Sequence, residues 1–208
     1  MRAKGELTLK NIVDAKIPVF DFTGEWFDAF GKPQRTGIWY VFGDSGHGKT
    51  SFVLMLIKQL SHFGKILFVS YEEGEKSAAL QRGIQRLGLL EANSRVSVCV
   101  KRGEELEERL NEKNCPGIVI VDSLDLSAFK RAEKVSDLRS RFKNKLFVFT
   151  GWAKDNVPAK KIGEDILFLA NQKIFVEGYR AISRGRSFGT IGYLTIWDKG
   201  AEEYWGFK

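Results

Sequence analysis

The chain has 208 residues, 43% of them apolar and 28% charged, with a formal net charge of +7 at neutral pH. That composition is ordinary for a soluble globular protein, so disorder is not the default, and the length suits one domain spanning residues 1–208 better than two. No apolar run approaches the roughly 18–20 residues that cross a bilayer, and residues 1–10 lack the apolar core of a secretory signal, so no membrane partner is expected.

Residues 1–37 carry few regular signals; Trp26, Phe27 and Phe30 are expected to cover an edge of the core. Ile38–Phe42 is a short apolar run stopped by Gly43, the pattern of a buried parallel strand. Thr50–Phe63 is apolar nearly all round at its start and predicts an inner helix, stopped by Gly64. Lys65–Tyr71 predicts the next strand, Glu75–Leu87 a helix ending at Gly88, and Val96–Val100 a third strand. Glu104–Lys113 predicts an acidic amphipathic helix with Leu106 and Leu110 one turn apart, and Ile118–Val121 a fourth strand closed by Asp122. A basic helix or loop fills Ser127–Lys143, and Leu146–Phe149 gives a fifth strand. Lys173–Ile182 and Ile191–Trp197 read as two strands joined by the Gly-rich turn Ser183–Gly189, an antiparallel hairpin. The alternation predicts an α/β domain whose mostly parallel central sheet is flanked by helices and ends in that hairpin. Cys99 falls inside the third strand and reads as a core residue, while Cys115 lies in a turn before Pro116. Neither has metal-like spacing, which points to a reduced, cytoplasmic setting.

Gly43-Asp44-Ser45-Gly46-His47-Gly48-Lys49-Thr50 fits the phosphate-loop pattern G-x-x-x-x-G-K-[ST] in full. Its glycines let successive backbone N–H groups turn inward on phosphate oxygens, and the helix opening at Lys49 adds its positive end. Lys49 is expected to reach the β- and γ-phosphates of ATP, and the Thr50 hydroxyl to ligate Mg²⁺. The following Ser51 completes the expected nucleotide site, and His47 needs no role of its own. Gly117–Ser123 has the form of a Walker B strand, four apolar residues delivering Asp122 to the edge where open α/β sheets bind ligands. Asp122 is the second expected Mg²⁺ ligand, through the metal's water shell; the alternative is an Asp that only caps the next segment. A further carboxylate pair, Glu72 and Glu73, follows the second strand.

The loop Gly43–Thr50, then VSYEE at 69–73, then IVIVDS at 118–123, in this order, resembles the RecA-like P-loop ATPases: recombinases, RadA-type proteins and replicative hexameric helicases. The resemblance implies ATP hydrolysis, with Glu72 polarising the attacking water and Glu73 the runner-up. The alternative is that both are charges favoured by a helix N-terminus. It also implies a polar sensor at the end of the fifth strand, a position where the register puts Gly151, with Thr150 the possible substitute. Ser183–Thr190 resembles the turn of replicative helicases in which two basic residues reach a neighbouring subunit's γ-phosphate, which makes Arg184 and Arg186 candidate catalytic fingers. Alternate residues of an extended segment point the same way, so both guanidiniums can converge on one anion. DNA contact, or a solvated hairpin tip, are the alternatives.

Phe129–Phe188 holds 14 Lys and Arg against 6 Asp and Glu, a surplus of 8, so the rest of the chain nets to −1. A basic segment on a neutral body suggests an anionic partner, the plainer possibility being a solvated face. By the resemblance, the loops after the fourth and fifth strands hold single-stranded DNA. That nominates Lys130, Arg131, Lys134, Trp152, Lys154, Lys160 and Lys161, with the indole stacking on a base and the cations following phosphates. A homo-oligomeric ring or filament, in recombination or replication, follows from the same likeness. The competing functions are an ATP-dependent regulator or loader acting on a protein, and a small-molecule kinase sharing only the phosphate loop. The length matches a stand-alone core without added modules.

Overall fold

The computed structural model describes residues 6–127, 129 and 131–206. Helices α1 (Leu9–Val13) and α2 (Gly24–Phe30) precede β1 (Gly37–Gly43) and α3 (Lys49–Ser61). Then come β2 (Ile66–Ser70), α4 (Ala78–Arg86), β3 (Val96–Cys99), α5 (Gly103–Asn111) and β4 (Ile118–Asp122). They are followed by α6 (Ala132–Arg141), β5 (Leu146–Lys154), β6 (Val157–Pro158) and α7 (Lys161–Leu169). The chain continues through β7 (Gln172–Glu177), β8 (Arg180–Ser183), β9 (Tyr193–Thr195) and α8 (Asp198–Trp205). No helix among the described residues is long and apolar enough to cross a membrane.

The sheet runs β3-β2-β4-β5-β1-β7-β8-β9. All pairings from β3 to β7 are parallel, and β8 and β9 continue antiparallel. The fold class expected from the alternation is therefore the one found. Side chains alternate between two cores. Trp39 and Val41 of β1 face Phe52, Val53, Leu56 and Leu60 of α3, while Ile38, Tyr40 and Phe42 face Leu106 and Leu110 of α5, Val135 and Leu138 of α6, and Ile166 of α7. Burial on both faces is why the parallel strands are continuous apolar runs. Because β5 lies between β1 and β4, it passes between the phosphate loop and Asp122.

Phe30 is buried and Trp26 and Phe27 pack half-buried against the α3-side core, as expected. Phe20 and Phe22 join them, the ring of Phe20 meeting Trp39 edge-on at 5.6 Å. Helix α4 starts later than the charge pattern suggested, because the Ser77 hydroxyl caps it by accepting from the Leu80 N–H. Strand β3 is an edge strand, so Cys99 is half-buried rather than a full core residue.

The expected strand Lys173–Ile182 is two strands. Gly178 and Tyr179 both take positive φ, +50° and +59°, and form a two-residue turn between the paired Glu177 and Arg180. A side chain at Gly178 would collide with the ring of Tyr204 on α8, so the position is closed to other residues twice over. The terminal sheet therefore has two hairpins, β7–β8 and β8–β9. Asp155 and Asn156 make the same kind of turn at the end of β5, where Lys154 pairs with Val157. The segment after β5, expected as a loop, is thus a hairpin followed by helix α7.

Candidate functional site

Strand β1 brings Gly43 to the carboxyl edge of the sheet, and the chain curls there before entering α3. Gly46 and Gly48 sit at φ +84° and +95°, a region L side chains rarely adopt, and Gly48 is the residue before the helix. Lys49 opens α3 and is 7% exposed. His47 has a structural role that the sequence did not reveal. Its Nδ1 accepts the Gly178 N–H at 2.8 Å, its carbonyl accepts the Tyr179 N–H at 3.2 Å, and its ring meets Tyr204 edge-on. The phosphate loop is thereby tied to the β7–β8 turn and, through it, to α8. Ser51 accepts a hydrogen bond from the Arg86 guanidinium at 2.8 Å. A cavity of about 380 Å³ opens beside it, lined by Met55, Arg86, Leu87, Tyr179, Ile196 and Trp197.

Asp122 ends β4 with only 2% exposure. Its Oδ1 accepts the Thr150 hydroxyl at 2.5 Å, and its Oδ2 is buried without a partner. The peptide bond that follows it is cis. Burial pushes the Asp122 carboxyl up to about 6; the Thr150 hydrogen bond and the Lys49 charge pull it down, and the charges of Glu72 and Glu73 add to the rise. A carboxylate held this way is best satisfied by a cation. The Asp122 carbonyl accepts the N–H groups of Tyr71 and Glu72 at 2.5 and 3.1 Å, pinning the chain after β2 to the end of β4. The two glutamates then part. Glu73 Oε2 accepts the Ser77 hydroxyl at 3.0 Å and belongs to the start of α4. Glu72 Oε2 accepts the indole N–H of Trp152 at 3.3 Å and belongs to the sheet edge.

At the end of β5 the two sensor candidates face opposite sides of the sheet. Thr150 faces the α3 side and reaches Asp122, whereas Gly151 faces the other way, where a Cβ would lie 2.1 Å from the Tyr40 hydroxyl oxygen. Gly151→Ala is expected to destabilise the fold by about 1–3 kcal/mol through overpacking, read as a lower denaturation midpoint at unchanged slope.

Of the expected DNA-binding residues, the structure brings Trp152 and Lys160 together. Trp152 is half-buried, with Lys160 over its ring at 5.1 Å, and Lys154 ends β5 on an exposed hairpin. Lys161 opens α7 and pairs with Asp165 at 2.6 Å, an exposed i,i+4 contact of small worth. Arg131 precedes α6 and Lys134 lies on it, both exposed, while Lys130 lies outside the described residues. Arg184 stacks on its own chain's Phe175 at 4.0 Å and reaches the Asn156 carbonyl at 3.5 Å. Arg184 and Arg186 are both exposed. Gly189 packs its backbone closely on α2 of the same chain: a Cβ there would lie 1.9 Å from the Phe27 carbonyl oxygen.

No protein-family model matches the sequence. Over 184 residues the chain is 28% identical to the DNA repair protein RadA of Aquifex aeolicus (strain VF5), covering 78% of this chain and 40% of that protein. The chain thus spans two fifths of that relative's length. Among solved structures it is similar to a KaiC-like protein of Pyrococcus horikoshii OT3, with TM-score 0.59 at 16% identity over 86% of this chain and 99% of that one. It is also similar to the flagellar accessory protein FlaH of Methanocaldococcus jannaschii, with TM-score 0.61 at 13% identity over 86% and 92%. The chain has the RecA-like P-loop ATPase fold. Within that fold, the phosphate loop, Asp122, Thr150 and Glu72 share one edge of the sheet, on strand ends and the turns that follow them.

Proposed function

We propose that the chain hydrolyses Mg²⁺-ATP at the carboxyl edge of its sheet and couples that turnover to single-stranded DNA. The observation that carries the proposal is the convergence there of Lys49, Asp122, Thr150 and Glu72 on the mouth of the phosphate loop. The donor set fits Mg²⁺: Thr50 and Asp122 offer hard oxygen atoms, and the unpartnered, buried Asp122 Oδ2 is one that a cation or its water would satisfy. When bound, Mg²⁺ supplies charge neutralisation between the β- and γ-phosphates. Lys49 and the N–H groups of Gly46–Thr50 bind the phosphates and orient the γ-phosphoryl group. Thr150 holds the Asp122 carboxylate in place. Glu72 accepts the proton of the attacking water, and Arg186 of an adjoining copy stabilises the charge that spreads over the transferred group.

Single-stranded DNA is proposed as the effector because exposed cations follow β4 and β5, a half-buried tryptophan lies near the end of β5, and the RadA relative is a DNA repair protein. Binding of a labelled oligothymidylate should weaken with salt, and each phosphate contact removed should lower the salt slope by roughly 0.7. Lys154→Glu with Lys161→Glu is the pair to use, because Lys160 is engaged with Asp125. Weaker DNA binding at unchanged ATP affinity is the expected result. Affinity that the pair leaves untouched would favour an ATP-dependent regulator acting on a protein.

A further inference from the structure

Glu72 stands at the edge of the site, yet its carboxylate is already engaged. Its Oε2 accepts the indole N–H of Trp152 at 3.3 Å. The tryptophan is fixed from two further directions. Its backbone N–H donates to Asp125 Oδ2 at 2.7 Å, and the Lys160 ammonium lies 5.1 Å from its ring centroid. Lys160 is anchored to the same aspartate, with its ammonium 3.2 Å from the Asp125 carbonyl oxygen and 3.9 Å from Oδ1. Asp125 is buried, Trp152 is half-buried, and Lys160 and Glu72 are exposed. The arrangement has an inner anchor and an outer face: Asp125 holds the backbone of Trp152, while the ring and its cation meet solvent.

Two consequences follow from elementary chemistry. A carboxylate oxygen that accepts an indole N–H has a lone pair occupied and its direction fixed, so it is not free to orient a water. An aromatic ring with a cation beside it is a surface on which any nucleic-acid base can stack while its phosphate takes the cation. The same indole therefore serves both events, with its edge on Glu72 and its face toward solvent.

We infer that Trp152 is a positioning residue that holds Glu72 in a resting arrangement, and that single-stranded nucleic acid stacking on the indole face draws the N–H away and frees Glu72 for water. This rests on Glu72 as the water-activating base. Ring, cation and carboxylate lie in one connected chain, so no distant conformational change is needed to transmit the signal. The bond is long and partly exposed, so its release is worth about three- to thirtyfold in turnover.

Trp152→Phe keeps the ring and its face but deletes the N–H. Steady-state ATP turnover by the full chain, with and without an oligothymidylate, should be measured for wild type, Trp152→Phe and Glu72→Gln. Expected for Trp152→Phe is a basal kcat raised about three- to thirtyfold with the KM for ATP within about twofold, and a smaller further rise on adding DNA than in wild type. A merely structural tryptophan would instead lower kcat and ATP affinity together. A basal kcat at or below wild type, beside an inactive Glu72→Gln, overturns the inference and leaves Glu72 as the base. Full activity in Glu72→Gln removes the base assignment, and the inference with it. Should Trp152→Phe melt early, Trp152→Leu also lacks the N–H, and the same rise is required of it.

Discussion

Replacing Lys49 with Ala is expected to lower ATP turnover about a hundred- to a thousandfold and to weaken nucleotide binding. Lys49 opens α3, where the helix end already favours anions, and the residue as a whole is buried. A cation in that position acts on the phosphates without competition from solvent, so its loss is felt more than that of a surface lysine. It also lies near enough to Asp122 to lower the aspartate's proton affinity. Removing it should leave a buried carboxyl that holds its proton to higher pH, which works against metal binding at the same edge. Lys49→Arg keeps the charge and controls for that indirect effect. Turnover at the wild-type level in Lys49→Ala would show that the phosphates are held elsewhere.

Arg186→Ala should produce a loss of similar or larger size, about a thousandfold, if its guanidinium completes a neighbouring site. The two arginines of the segment are not equivalent. Arg184 lies on Phe175 and against Asn156 of its own chain, so releasing it disturbs an existing packing contact. Arg186 presents an exposed side chain next to a backbone fixed by its N–H bond to the Asn171 carbonyl at 3.3 Å. A rigid backbone with an exposed guanidinium is suited to reach another molecule. A shared site has a signature that no single-chain defect reproduces. Turnover should rise with protein concentration, and Arg186→Ala should regain activity when mixed with Lys49→Ala, because some mixed interfaces then hold both intact halves. Full activity of a monomer at high dilution, or no recovery in mixtures shown to co-assemble, would rule the arrangement out.

Much of the site was legible because its parts are local. The phosphate loop needs particular glycines within eight residues, and a run such as Ile118–Val121 can only be a buried strand that delivers Asp122 to its end. What escaped depends on contacts between residues far apart in sequence. His47 bonds to Gly178, and Glu72 to Trp152, pairs separated by 131 and 80 positions. Nothing local to either partner announces such a bond. Strand periodicity fixes the alternation of side chains along β5 but not its phase. Only the Tyr40 ring against Gly151 decides that Thr150 is the inward residue. Helix α7 carries a usable local signal in the spacing of Ile162, Ile166 and Leu169. The turns at Asp155-Asn156 and Gly178-Tyr179 were missed. Tyr179 and Asp155 adopt left-handed backbone only because the flanking strands pair, a tertiary cause that composition does not carry.

The most direct test is phosphate release from ATP by the wild-type chain, with and without Mg²⁺ and with and without an oligothymidylate, beside Glu72→Gln. The expected result is Mg²⁺-dependent turnover that rises with DNA, and a Glu72→Gln chain that still binds ATP but releases phosphate at least about a hundredfold more slowly. No phosphate release under any of these conditions, from a chain that binds Mg²⁺-ATP, would contradict hydrolysis at this site.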